Sequence, residues 1–84
     1  MTGAAPPIEI DARGHRCPVP SLRLRRALEA AAPGAVLRLL TDDPLARIDA
    51  PLMLRERGDL LLGIEDGADA VLIITARKRG AEAG

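Results

Sequence analysis

Cys17 is the only cysteine in the chain, set in the run Arg13-Gly14-His15-Arg16-Cys17-Pro18-Val19-Pro20. Proline is tolerated in the first turn of a helix, where its missing N–H has no intrahelical partner and its fixed φ is already helical. Pro18 therefore reads as the first helical residue, with Cys17 as its N-cap, and Pro20 stiffens the same turn. Arg16, four positions before Pro20, lies outside the helix, so the second ring meets no helical carbonyl. With both proline amides absent, the free donors nearest the sulfur are the N–H groups of Val19 and Ser21, at the positive end of the helix dipole.

The local charge points the same way. Arg13 and Arg16 precede the cysteine, Arg23, Arg25 and Arg26 follow it, and no acidic residue occurs between Asp11 and Glu29. A free thiol has a pKa of about 8.5, which helix N-termini and neighbouring cations lower. The stretch thus predicts substantial thiolate at neutral pH. A lone cysteine more often serves as a small buried hydrophobe, but the paired prolines, the preceding loop and the five arginines favour a reactive one. His15 either withdraws the Cys17 proton or is a solvated loop side chain.

The elements that must hold this sulfur come from a short chain. Eighty-four residues make one small domain, near the size at which a single core suffices. Residues 8–78 are expected to be its ordered part, with 1–7 and 79–84 as frayed tails. With no Phe, Tyr or Trp, the core must be built from Leu, Ile, Val and Ala. The net charge of zero argues against wholesale attraction to nucleic acid or an anionic membrane. A single cysteine forms no internal disulfide, and no Cys/His spacing suggests a metal site. No cofactor is expected. The composition fits a reducing compartment, and with no leader-like or membrane-spanning run the expected location is cytoplasmic.

Residues 8–12 alternate apolar and charged side chains, as a half-buried strand does. A helix from Cys17 to about Ala32 follows, stopped by Pro33-Gly34. At about 100° per residue, Pro20, Ser21, Leu24, Ala27, Leu28 and Ala31 share its core face. Leu22 points to the charged side instead. It is either an ordinary exposed leucine or, beside Arg23, Arg25 and Arg26, a contact for a protein partner.

Residues 35–41 read as a second strand with Leu37 and Leu39 inward. Asp42-Asp43-Pro44 then starts a second helix, with proline again as first residue, running to Arg57 and kinked or split near Asp49-Ala50 by Pro51. Residues 59–65 and 70–77 are apolar runs joined by a hairpin signal, Asp66-Gly67-Ala68-Asp69. The order βαβαββ implies an α+β, two-layer α/β sandwich: a parallel first pair, a terminal antiparallel pair, and two helices on one face of a four-stranded mixed sheet. The other face is then partly apolar, and either associates weakly or is covered by strand ends.

These residues resemble the TusA (SirA-like, YedF-like) sulfur-carrier family: Asp11-Ala12-Arg13-Gly14, Cys17-Pro18-Val19-Pro20, Pro33-Gly34, Thr41-Asp42-Asp43-Pro44 and Asp49-Ala50-Pro51. The resemblance runs from the first strand to about Arg79 and implies the same βαβαββ fold. It further implies that Cys17 takes up sulfane sulfur as a persulfide from a cysteine desulfurase or rhodanese-like donor. The sulfur then passes to a DsrE-like or other acceptor, in tRNA thiolation, molybdenum-cofactor biosynthesis or sulfur oxidation. On this reading Arg13, Gly14, Arg16, Pro18 and Pro20 support the nucleophile. Leu22, Arg23, Arg25 and Arg26 meet partners, and Asp42 and Asp43 serve structure and partner contact. His15 and Leu52-Met53-Leu54 depart from the family pattern.

Such transfer is attack by a thiolate on a sulfane sulfur and needs no second cysteine in the chain. Two other readings remain open. One is a redox-sensing or regulatory interaction module with a basic helix face; the absence of aromatic stacking residues and the zero net charge disfavour a nucleic-acid partner. The other is a freestanding thiol enzyme, which needs a resolving cysteine or a fixed acid/base beside Cys17.

Overall fold

Two parallel strands at one side of a four-stranded sheet carry the sulfur-bearing loop. A computed structural model of the protein describes residues 6–80. β1 (Ile8–Asp11) pairs in parallel with β2 (Val36–Thr41), Ile8 opposite Leu37 and Asp11 opposite Leu40. Between them runs α1 (Val19–Ala30), and after β2 comes α2 (Ala46–Arg57). β3 (Leu60–Asp66) and β4 (Leu72–Arg77) form an antiparallel hairpin around a short 3-10 turn at Ala68–Ala70. β4 also pairs antiparallel with β2, so the sheet order is β1-β2-β4-β3. The expected α+β sandwich is therefore what the chain forms.

The core is aliphatic throughout. Ile10, Leu24, Leu28, Leu37, Leu39, Leu54 and Ile74 meet between sheet and helices, and Ala12, Ala46, Ala50 and Ala76 bring the backbones close. Alternation in β2 and β4 puts Leu37, Leu39, Ile74 and Ala76 inside, as their period of two requires. The α1 face falls where its periodicity indicated: Pro20, Ser21, Leu24 and Leu28 are buried, with Ala27 and Ala31 packed against the core. Leu60, Leu61 and Leu62 on edge strand β3 remain about half exposed, at 53%, 41% and 50%.

Several boundaries differ from expectation. α1 starts at Val19 with Pro18 as N-cap, one residue later than the sequence indicated, because the Val19 N–H closes a turn onto the Arg16 carbonyl at 2.8 Å. That amide is not a free donor for the sulfur. α1 ends at Ala30 rather than Ala32, where Ala31 turns extended and the Lys78 ammonium donates to the carbonyls of Leu28 at 2.5 Å and Ala31 at 3.3 Å. α2 opens at Ala46 behind a turn at Pro44-Leu45, so Pro44 is not its first residue.

Pro51 does not split α2, which runs on to Gly58 in the left-handed region. The carbonyl that loses its donor belongs to Arg47, at an exposed position open to solvent. Most of the two expected tails, 1–5 and 81–84, lies outside the described residues. Arg79 is tied down rather than frayed: its N–H donates to Asp59 at 2.9 Å and its guanidinium to the Arg57 carbonyl at 2.9 Å.

Candidate functional site: a thiol beside two aspartates

Because β1 and β2 are parallel neighbours, the loops that leave their C-terminal ends emerge side by side. One carries Cys17, the other Asp42 and Asp43. The second loop fastens the first. The Gly14 N–H donates to both carboxylate oxygens of Asp42, at 3.0 and 3.1 Å. The Cys17 N–H donates to Oδ2 of Asp43, whose Oδ1 accepts the Leu45 N–H at 3.1 Å. Asp43 is itself buried, and its own N–H donates to the hydroxyl of the fully buried Thr41 at 3.1 Å. Gly14 supplies the reversal in the loop, with φ of +85°, a conformation costly for residues with a Cβ.

The sulfur faces α2. The Cys17 thiol donates a hydrogen bond to Oδ2 of Asp49, in the first turn of that helix. Cys17 is half-buried, and beside it a groove of about 260 Å³ opens between the helices, lined by Pro18, Leu22, Arg25, Asp49, Leu52 and Met53 among others. The hydrogen bond to Asp49, partial removal from water and the negative charges of Asp49 and Asp43 push the Cys17 thiol up to about 11.

This overturns the expected ionised sulfur. The arginines nearest in sequence turn elsewhere. Arg13 forms an exposed ion pair with Asp11 at 2.8 Å, Arg23 donates to the Asp11 carbonyl at 2.9 Å, and Arg25 pairs with Glu29 at 3.4 Å. Arg16 and Arg26 are exposed, and among the described residues neither guanidinium has a hydrogen-bonding or ionic partner. Two acidic residues remote in the sequence act on the sulfur instead, because strand pairing and helix packing bring positions 43 and 49 to position 17.

Pro18 rims the groove, and Pro20 is buried on the core face of α1. Leu22 is 53% exposed and borders both this groove and a second one of about 760 Å³ between α1 and β1, which Arg23, Arg25 and Arg26 also line. The His15 ring is exposed. Asp49 was missed by sequence reasoning as a site residue, although an aspartate two positions before an in-helix proline was a signal. Among the described residues no group of His, Cys, Asp and Glu is arranged to hold a metal ion, and no helix is long and apolar enough to cross a membrane.

Comparison with known proteins agrees with this architecture. The family model described as Sulfurtransferase TusA matches residues 8–78. A putative sulfur carrier protein of Archaeoglobus fulgidus is 36% identical over 64 residues, covering 76% of this chain and 83% of its own length. The sulfur carrier protein TusA of Pseudomonas entomophila is 32% identical over 78 residues, covering 93% of this chain and 98% of its own. The crystal structure of a SirA-like protein from Desulfitobacterium hafniense superposes with a TM-score of 0.77 at 29% identity, over 86% of this chain and 97% of that one. With the family model spanning every strand and both helices, and relatives alike over most of their length, the chain belongs to the TusA family of sulfur carriers.

Proposed function

We propose that Cys17 is the atom on which this carrier holds its cargo, as a persulfide received from a cysteine desulfurase or rhodanese-like protein and relayed to a DsrE-like or other acceptor. The supporting observation is the placement of Cys17: half-buried, on a loop clamped by Asp42 and Asp43, and next to an open groove that its neighbour Pro18 and its hydrogen-bond partner Asp49 line.

In the loading step the Cys17 sulfur attacks the outer sulfur of the donor persulfide. A new S–S bond forms, the donor's S–S bond breaks, and the donor cysteine departs as the thiolate. The proton lost from Cys17 is balanced by the one the donor thiolate takes up. Delivery repeats the displacement with the acceptor thiolate as attacking group. The Leu22 side chain, with Arg23, Arg25 and Arg26, forms the contact face for both partners, and modest affinity suits a carrier that must leave each. The recipient belongs to tRNA thiolation, molybdenum-cofactor biosynthesis or sulfur oxidation, in the cytoplasm, where a lone thiol stays reduced.

A redox sensor fits less well, since sensor cysteines are exposed and of low pKa, whereas this thiol is pushed up. The test is intact-mass measurement after incubation with a desulfurase and cysteine. The wild type gains about 32 Da for each sulfur added and Cys17→Ser gains nothing. A loaded Cys17→Ser protein would refute the assignment.

A further inference from the structure

A sulfur carrier needs a nucleophile, yet its sulfur is held as a thiol by an aspartate. The Cys17 S–H points at Asp49 Oδ2, and the backbone N–H of the same residue is taken by Asp43. Asp42 is engaged by Gly14, and Asp43 is buried. Asp49 differs from both. It lines the open groove between α1 and α2, and among the described residues no cation pairs with it. Arg25, the one cation lining that groove, is paired with Glu29, and Glu56 adds a further negative charge to the same wall.

Resting on the carrier reading, we propose that Asp49 is a latch on the nucleophile: it keeps Cys17 protonated while the protein is free, and a cationic side chain of the docked sulfur donor releases the thiolate by pairing with the Asp49 carboxylate. Three features support this. A carboxylate accepting the S–H stabilises the thiol and opposes the anion, so whatever neutralises the carboxylate removes both effects. The carboxylate borders open space, so an incoming Lys or Arg reaches it without unfolding anything. Asp43 acts on the same sulfur through its charge but is sealed beneath the loop, which leaves Asp49 as the member of the pair that a partner can address.

The latch has a purpose for a chain with one unpaired thiol. Off its partner, the sulfur is a poor nucleophile toward stray disulfides and oxidants, because the thiolate is the reactive form. On its partner, pairing of the two charges frees it. The Cys17 proton goes to water, the thiolate displaces the donor's cysteine from its persulfide, and the departing thiolate takes a proton back. The sum is one thiol and one persulfide exchanged, with no net oxidation.

The experiment compares wild type with Asp49→Asn and Asp49→Ala in two assays. In the first, the rate of alkylation by iodoacetamide is followed against pH. The midpoint is expected to fall in both variants, from about 11 toward the ordinary thiol value, with partial burial and the Asp43 charge keeping it above that value. At about pH 7.5 alkylation then rises severalfold, since the gain in thiolate is partly offset by the weaker nucleophilicity of a less basic sulfur.

In the second assay, loading by a cysteine desulfurase with cysteine is followed by intact mass at low salt. Both variants are expected to show a raised KM for the carrier and slower loading despite their more reactive thiol. Added salt should slow the wild type more than either variant, because only the wild type has the charge pair to screen. An unchanged alkylation midpoint in both variants overturns the latch, and loading as fast as wild type overturns the cationic release. A wild type that alkylates with the high midpoint but never loads overturns the carrier reading and leaves the hold of Asp49 on the thiol standing.

Discussion

The carboxylate of Asp43 holds the backbone N–H of Cys17 with one oxygen and that of Leu45 with the other, so a single buried side chain joins the sulfur-bearing loop to the start of α2. Two amides that neither helix satisfies are thereby paired. Asp43→Ala leaves both without their acceptor in a partly buried site. The expected loss of stability is about 2 to 3 kcal/mol, measured by urea unfolding. Hydrogen exchange at the Cys17 amide should accelerate in the same variant.

Gly14 poses a separate demand on that loop. Its φ is +85° and a Cβ there would meet nothing within 4 Å, so any penalty for a side chain is purely one of backbone conformation. Gly14→Ala should cost about 1 kcal/mol, and Gly14→Asn distinctly less, because asparagine tolerates the left-handed region. Thermal unfolding of the two variants checks the ranking.

Much of this was legible beforehand. Prolines at 18 and 20, the alternation at residues 8–12 and 35–41, and the hairpin signal after Glu65 are local features, and each shaped the element it indicated. What could not be read was where the sulfur's charged neighbours sit. The arginines at 13, 16, 23, 25 and 26 are near Cys17 in sequence, but the helix period spreads them around α1 and Asp11 and Glu29 draw three of them away. Asp49 is 32 positions distant in sequence and reaches the thiol only because α2 packs beside α1. Charge close along the chain was thus a poor guide to charge close in space.

The alkaline side of the stability curve should carry the mark of Cys17. Its folded-state pKa of about 11 lies above the unfolded value of about 8.5, so the folded state binds the extra proton. That contribution is fully present below about pH 8.5 and is lost as pH rises through the folded value. Wild type should therefore lose stability across this window more steeply than Cys17→Ser, in urea melts recorded at matched pH values.

On the acid side the corresponding group is Asp59. Burial pushes its carboxyl up, but the hydrogen bonds from the Arg79 N–H and the Arg57 guanidinium, with both positive charges, outweigh this and hold it below the usual range. Its side chain is fully buried, and Arg57 lies 2.7 Å away. Stability from this pair is present above the unfolded carboxyl value of about 3.9 and fades as pH falls through the folded one. Asp59→Asn should be less stable by about 2 to 4 kcal/mol near neutrality. The gap to wild type should narrow below about pH 4.

Leu22 tests the contact face. It is 53% exposed, so Leu22→Asp should change stability by no more than about 0.5 kcal/mol. If the leucine meets the sulfur donor, the same variant should raise the KM for loading about fivefold, equivalent to about 1 kcal/mol. Unaltered loading kinetics would remove Leu22 from that face.

The strand order β1-β2-β4-β3 has a bearing on how the protein is made. β3 is synthesised before β4, yet its only neighbour in the sheet is β4, and β4 is also what joins it to β2. Until β4 docks, Leu60, Leu61 and Leu62 belong to a segment with no strand to pair with. The loop that bears the cysteine is tied only to β1, β2 and α2, all of which precede β4 in the chain. A folding chain whose last strand is late therefore presents those leucines to other chains, and is most exposed to aggregation in that interval.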